Sequence, residues 1–246
     1  MQRHAIITGT SSGIGRALAA DLLERGWRVL GVARRDCDLA AHEGYRHINL
    51  DLGDLKGLEA RMEEEARPHL EGVQHLALVN NAAQLEPLRS SLHLPAGELE
   101  RSLVVNVATP MWLAGWCLRL DAECTRIVNL SSGAATSAYP GWAAYCSTKA
   151  ALKMAGEVLA SEVAEVPELV GRDVRVLSYA PHVVRTEMQE KIRATDPAEF
   201  PRRERFIDLD REEQLVTPEA SAGELARLLD EDELETLTER RYSPPA

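Results

Sequence analysis

No stretch of this 246-residue chain approaches the roughly 18 to 20 consecutive apolar residues that a bilayer-crossing helix needs, so no membrane partner is expected. Cysteine is sparse as well. Cys37, Cys117, Cys124 and Cys146 form no C-x-x-C pair and stand at no metal-ligand spacing with histidine, which argues against both a metal site and a disulfide framework. Positive charge is in deficit: 28 Lys and Arg face 39 Asp and Glu, a formal net charge of −11. A phosphate backbone would find no electrostatic footprint here, and nucleic acid is not an expected partner. The opening Met1-Gln2-Arg3-His4 runs straight into a strand pattern and leaves no room for a secretory leader, which points to reduced thiols and a cytoplasmic location. What is present is ordinary globular composition, 45% hydrophobic and 27% charged, at a length that suits one large α/β domain over residues 1–246.

The first half alternates short β-branched runs with helical patterns. Ala5-Ile6-Ile7 leads into T-G-T-S-S-G-I-G, residues 8–15, and then an apolar helix stopped by Gly26. Strand, glycine turn and helix are the context of a dinucleotide-binding loop. Gly9 permits the turn, Gly13 lets backbone approach a pyrophosphate, and Gly15 lets helix and strand pack. The free amides of Ser11, Ser12, Gly13 and Ile14 are then available to phosphate. A second strand, Arg28 to Val32, ends in Ala33-Arg34-Arg35. Arginine at this place pairs with the 2′-phosphate of NADP, whereas an acidic residue would take the ribose of NAD, so NADP(H) is the expected cofactor. Thr10 or Ser12 can add a hydrogen bond there, and Asp36 is the one nearby residue of the opposite sign. A third strand, Tyr45 to Leu50, delivers Asp51 and Leu52. Asp54 is placed to cap a helix over Leu55 to Leu70, whose acidic face (Glu63, Glu64, Glu65) reads as solvated. A fourth strand, Leu76 to Val79, leads into Asn80-Asn81-Ala82-Ala83.

The second half carries the candidate chemistry. A strand from Arg126 to Leu130 brings up Ser132, and a Gly/Pro-bearing segment leads to a helix from Tyr145 to Glu165. Tyr145 and Lys149, four residues apart, share one helix face. An ammonium so placed is expected to favour the phenolate and lower the tyrosine pKa, giving a group able to exchange a proton with a carbonyl or alcohol. Upstream, a helix from about Glu98 to Leu120 carries Asn106 in an apolar setting and should kink or break at Pro110. Val174 to Ser178 reads as a sixth strand. From Glu187 to Val216 the pattern loosens and reads as a substrate lid. Both phenylalanines, Phe200 and Phe206, fall in it; with Trp142 and Tyr139 they either line a substrate pocket or anchor the lid. Thr217-Pro218 opens a last helix ending at Leu229, and no seventh strand is evident in the acidic tail.

Taken together, Ser-x12-Tyr-x3-Lys, the T-G-x3-G-x-G turn and N-N-A-A resemble the short-chain dehydrogenase/reductase family over nearly the whole chain. The resemblance implies a Rossmann-type doubly wound parallel sheet, a three-layer α/β/α single domain. It implies a catalytic set of Asn106, Ser132, Tyr145 and Lys149, with Asn106 holding a water on a proton route from Lys149. Asp51, beside Leu52, would bind the adenine edge, Asn81 and Ala82 would lie along the adenosine ribose, and Lys149 would bind the nicotinamide ribose. Pro181, Val184 and Thr186 would hold the nicotinamide carboxamide, and Ser132, Trp142 and Tyr145 would meet the substrate. Ala83 and His182 stand where the family has glycine. The implied activity is NADPH-dependent reduction of a carbonyl, with oxidation of a secondary alcohol by NAD, or nucleotide sensing without turnover, as alternatives. A homodimer or homotetramer built on the two long helices is also implied. In detail G-W-A-A-Y-C-S-T-K and V-L-S-Y-A-P-H-V-V-R-T-E-M-Q are most similar to the sepiapterin-reductase and benzil-reductase-like branches. The acidic residue with which sepiapterin reductases anchor a pterin has no clear counterpart in the tail, which favours a vicinal diketone or similar ketone.

Overall fold

In a computed structural model of the chain, residues 2–231 and 234–243 are described. The tail in which a pterin anchor was sought lies partly outside them, at positions 232–233 and 244–246, as does Met1. The core is a parallel sheet of seven strands among the described residues: β1 (Arg3–Thr8), β2 (Arg28–Ala33), β3 (Tyr45–Asn49), β4 (His75–Asn80), β5 (Cys124–Leu130), β6 (Asp173–Ala180) and β7 (Leu237–Arg241). Their spatial order is β3-β2-β1-β4-β5-β6-β7. The order in which successive strands are added reverses between β1 and β4, and a ligand crevice is expected outside the carboxyl ends of the strands at that switch point.

Both faces of the sheet are covered, so the central strands read as unbroken apolar runs: every residue of β4 is buried. Successive side chains still part company. Ile7 packs with Leu18, Leu22 and Leu225 on one face, while Ile6 packs with Leu58, Met62, Leu113 and Trp116 on the other. The first layer is α1 (Gly13–Glu24) with α8 (Pro218–Leu229), the latter opened by Thr217, whose hydroxyl accepts from Ala220 N at 3.1 Å. The opposite layer holds α2 (Leu55–Arg61), α3 (Ala96–Leu103), α4 (Thr109–Leu118) and α5 (Ala143–Glu165). This is the three-layer doubly wound domain that the motifs implied.

One expected break is present, and three details differ from the sequence reading. The helix through Glu98 to Leu120 is interrupted, as Pro110 led one to expect, by a π-helical turn, Val104–Ala108, just ahead of that proline. Proline has no N–H for the carbonyl of Asn106, four residues back, so regular α-helix cannot pass that point. Likewise α2 continues as a π-turn, Met62–Ala66, where Glu63 is not merely solvated: its carboxylate accepts from Trp116 Nε1 at 2.7 Å and pairs with Arg67. The seventh strand exists. Its outer residues are exposed, because it is an edge strand held by its ladder with β6 rather than by an apolar face. Finally, Glu187 to Val216 is not irregular: it contains α6 (Glu187–Ala194) and α7 (Arg203–Arg211). Its two ends are stitched together where Arg185 N donates to Val216 O and Val216 N donates to Val183 O.

Candidate functional site

At the switch point the glycine turn joins β1 to α1. Gly9 and Gly13 hold positive φ values of 77° and 56°, and a side chain on Gly15 would strike Asn81 and the Gly9 carbonyl. Asn81 locks the turn from β4, donating from Nδ2 to Thr8 O at 2.7 Å. The N-cap of α1, Ser12, makes no capping hydrogen bond with its side chain; its hydroxyl accepts instead from Arg35 Nη2 at 3.0 Å. The first amides of α1 are therefore left to an anion.

A crevice of about 700 Å³ runs from this turn to Tyr145. Gly9, Ser11, Ser12, Gly13 and Ile14 line its floor, Arg34 and Arg35 one end, and Asp51 and Leu52 the neighbouring wall. Asn81, Ala82, Pro181 and Thr186 line its middle, and Tyr145 and Lys149 its far end. Residues far apart in sequence thus meet in one cleft that combines uncapped helix amides, two arginines and a long trough, a donor set that fits a phosphorylated dinucleotide.

Several expected residues lie elsewhere. Thr10 is fully buried, its hydroxyl 2.8 Å from Tyr45 Oη, so it braces β3 against the turn instead of facing the crevice. Gly15 and Val184 are packed behind the lining. Asn106 is 1% exposed and saturated by protein: Oδ1 accepts from Gln84 N at 2.7 Å, and Nδ2 donates to Gln84 O at 2.8 Å and Thr148 Oγ1 at 3.1 Å. Since Thr148 donates in turn to Tyr145 O at 2.9 Å, the Asn106 side chain clamps the loop after β4 to the turn that bears Tyr145. Asp36 accepts from Asn49 Nδ2 at 3.3 Å, whereas Asp51, which does line the crevice, is met there by Arg101 at 2.7 and 3.0 Å.

Trp142 also sits behind the lining, 4% exposed, edge-on to Tyr145 at 5.5 Å and stacked on Phe200 at 4.7 Å. The two phenylalanines therefore anchor the segment 187–216 to the Tyr145 region, and neither is among the residues that line the crevice. Gly141 makes this seat possible, with φ of 88° and the Glu199 carbonyl where a Cβ would be. The crevice lining also includes Gln84, Leu85, Glu86, Met188, Lys191 and Ser131. The three after N-N-A-A were within reach of sequence reasoning; Met188 and Lys191 needed the fold of α6.

Burial dominates the electrostatics of Tyr145 and Lys149. Burial pushes the Tyr145 phenol up to about 12, with hydrogen bonding to Ser132 pulling partly the other way. Burial brings Lys149 down to about 8. Its Nζ donates to Leu130 O at 2.7 Å and lies over the Tyr145 ring, 5.7 Å from the centroid. Burial thus favours the neutral phenol of Tyr145. Ser132 caps a short 3₁₀ turn through Ala134 N, beside Tyr145 and just behind the crevice wall. Of the two glycine replacements, His182 takes φ of 66°, while Ala83 is not among the described non-glycine residues with positive φ.

A family model described as short chain dehydrogenase matches residues 3–197. A benzil reductase ((S)-benzoin forming) from Bacillus cereus is 34% identical, covering 94% of this chain and 95% of its own. A sepiapterin reductase from Meriones unguiculatus is 34% identical, over 92% of this chain and 91% of its own. Among solved structures, a short-chain dehydrogenase/reductase from Burkholderia vietnamiensis superposes with a TM-score of 0.68 at 31% identity, over 80% of this chain and 93% of that one. Among the described residues, no helix is long and apolar enough to cross a membrane.

Proposed function

Because the chain belongs to the short-chain dehydrogenase family, we propose that it is an NADPH-dependent carbonyl reductase acting on a ketone or vicinal diketone. The observation that carries this reading is the single crevice lined at one end by Arg34 and Arg35 and at the other by Tyr145 and Lys149. Bound NADPH would supply the hydride, received by the carbonyl carbon of the substrate. Tyr145, whose burial favours the neutral phenol, donates its phenolic proton to the carbonyl oxygen as negative charge develops there. Ser132, within hydrogen-bonding reach of the phenol, orients that oxygen. Lys149 keeps an ammonium beneath the site on the Leu130 carbonyl, from which it can hold a ribose hydroxyl and return a proton. The amides that open α1 hold the pyrophosphate, and Arg34 with Arg35 hold the adenosine 2′-phosphate. Leu85 and Met188 give the substrate end an apolar wall, which suits a benzil-like diketone, in keeping with the benzil reductases among the relatives. The segment 187–216 serves as the lid over that end. Exposed Met111 on α4 and Met154 and Val158 on α5 supply the apolar face for a homodimer or a homotetramer.

The test is turnover of benzil with NADPH and with NADH, for the native chain and for Tyr145→Phe. NADPH should support the faster reaction, and the variant should lose about 10²- to 10⁴-fold in kcat while still binding NADPH. Undiminished turnover in the variant would refute the acid assignment, and a preference for NADH the cofactor assignment.

A further inference from the structure

The two arginines at the end of β2 are in different states. Arg34 faces the crevice and forms no ion pair among the described residues. Arg35 is already engaged: its Nη2 lies 3.2 Å from Glu187 Oε2 and its Nη1 3.3 Å from Glu187 Oε1, and the same Nη2 donates to Ser12 Oγ at 3.0 Å. Glu187 is the first residue of α6, so this pair spans the crevice mouth from β2 to the lid, beside the uncapped first turn of α1. One turn on, Lys191 donates to Glu86 Oε1 at 2.8 Å, which strips Glu187 of the nearest alternative cation on its own helix. The Glu187 carboxylate therefore presents two oxygens to the guanidinium edge that an incoming phosphate would use.

We propose that Glu187 sets the discrimination between NADP and NAD by competing with the adenosine 2′-phosphate for Arg35. The inference rests on the reading of this crevice as an NADP site. A phosphate arriving at Arg35 must displace the carboxylate, whereas a cofactor lacking that phosphate leaves the ion pair in place. The pair thus weakens binding of the phosphorylated cofactor alone and holds its advantage over NAD below what two free arginines would give. Both side chains are more than half exposed (58% and 57%), so the pair has the strength of a surface salt bridge, equivalent to about twofold to fivefold in affinity.

Equilibrium binding of adenosine 2′,5′-bisphosphate and of 5′-AMP to the full chain at low ionic strength separates the possibilities. Glu187→Gln should tighten the bisphosphate about twofold to fivefold and leave 5′-AMP unchanged. In an Arg35→Gln background the same substitution should do nothing, and added salt should shrink its effect. Equal tightening of both ligands would mean general repulsion of phosphate and would overturn the proposal, as would no change or weaker binding of the bisphosphate. The native chain reports on the underlying reading: if it fails to prefer the bisphosphate over 5′-AMP, the NADP assignment falls and takes this inference with it. If the preference is present and the variant is silent, only the role of Glu187 falls.

Discussion

The Lys149 ammonium lies 5.7 Å from the centroid of the Tyr145 ring and spends its hydrogen bond on the Leu130 carbonyl, 2.7 Å away. The two side chains share a helix face as their spacing requires, and the cation is held at the end of β5 while it lies over the phenol ring. Each is buried, and each titrates as burial dictates: the phenol late, the amine early.

The amine should therefore leave a mark on stability. Lys149 has a folded pKa of about 8 against an ordinary 10.5, so between those values the unfolded chain binds the more protons and stability rises with pH. Its stabilising contribution is present above 10.5 and lost as pH falls through about 8. The Tyr145 shift is upward, so its contribution is lost only as pH rises toward 12 and does not disturb a measurement below 10. Urea unfolding at pH 7.5 and 9.5 should show the native chain gaining about 1–2 kcal/mol relative to Lys149→Met. Parallel behaviour of the two proteins would contradict the burial of a titrating amine.

Asn106→Ala should be costly. The substitution strands the Gln84 N–H and carbonyl and removes the donor to Thr148. A loss of about 2–4 kcal/mol in unfolding free energy is expected from orphaned polar groups of this kind. The affinity for 5′-AMP should hardly change, because the adenosine end of the crevice lies apart from this clamp. A variant as stable as the native chain would show that the clamp is dispensable.

Gly141→Ala meets two obstacles: a left-handed backbone and the Glu199 carbonyl where the methyl must go. The conformational penalty alone is about 1–2 kcal/mol, and the collision adds to it. The seat of Phe200 on Trp142 should loosen, so hydrogen exchange in α6 and α7 should speed up before the rest of the domain is affected. Unchanged exchange there would place the anchor elsewhere.

His182 should behave in the opposite sense. It is exposed and holds φ of 66°, so His182→Gly is expected to raise stability by about 0.5–1 kcal/mol, net of the added freedom of the unfolded chain. A β-branched residue at the same place, His182→Val, should lose about 1 kcal/mol or more. Thermal unfolding of the pair checks both signs.

The amino-acid sequence by itself determined the alternation of strands and helices, the glycine turn after the first strand, and the placing of Tyr145 and Lys149 on one helix face, and its motifs carried the resemblance that implied the doubly wound sheet. These features follow from local periodicity and backbone constraint: apolar runs for buried parallel strands, glycine where φ is positive, a four-residue spacing on a helix. Only the tertiary structure decided what those side chains touch. Asp51 meets Arg101 across 50 residues, Glu187 meets Arg35 across 152, and Asn106 closes on Gln84. It also decided the titration of Tyr145, because desolvation depends on everything packed around the phenol, Trp142, Phe200 and Phe206 included. The edge strand β7 escaped notice for the same reason: its order comes from hydrogen bonds to β6, a partner some 60 residues away, and not from any pattern of its own.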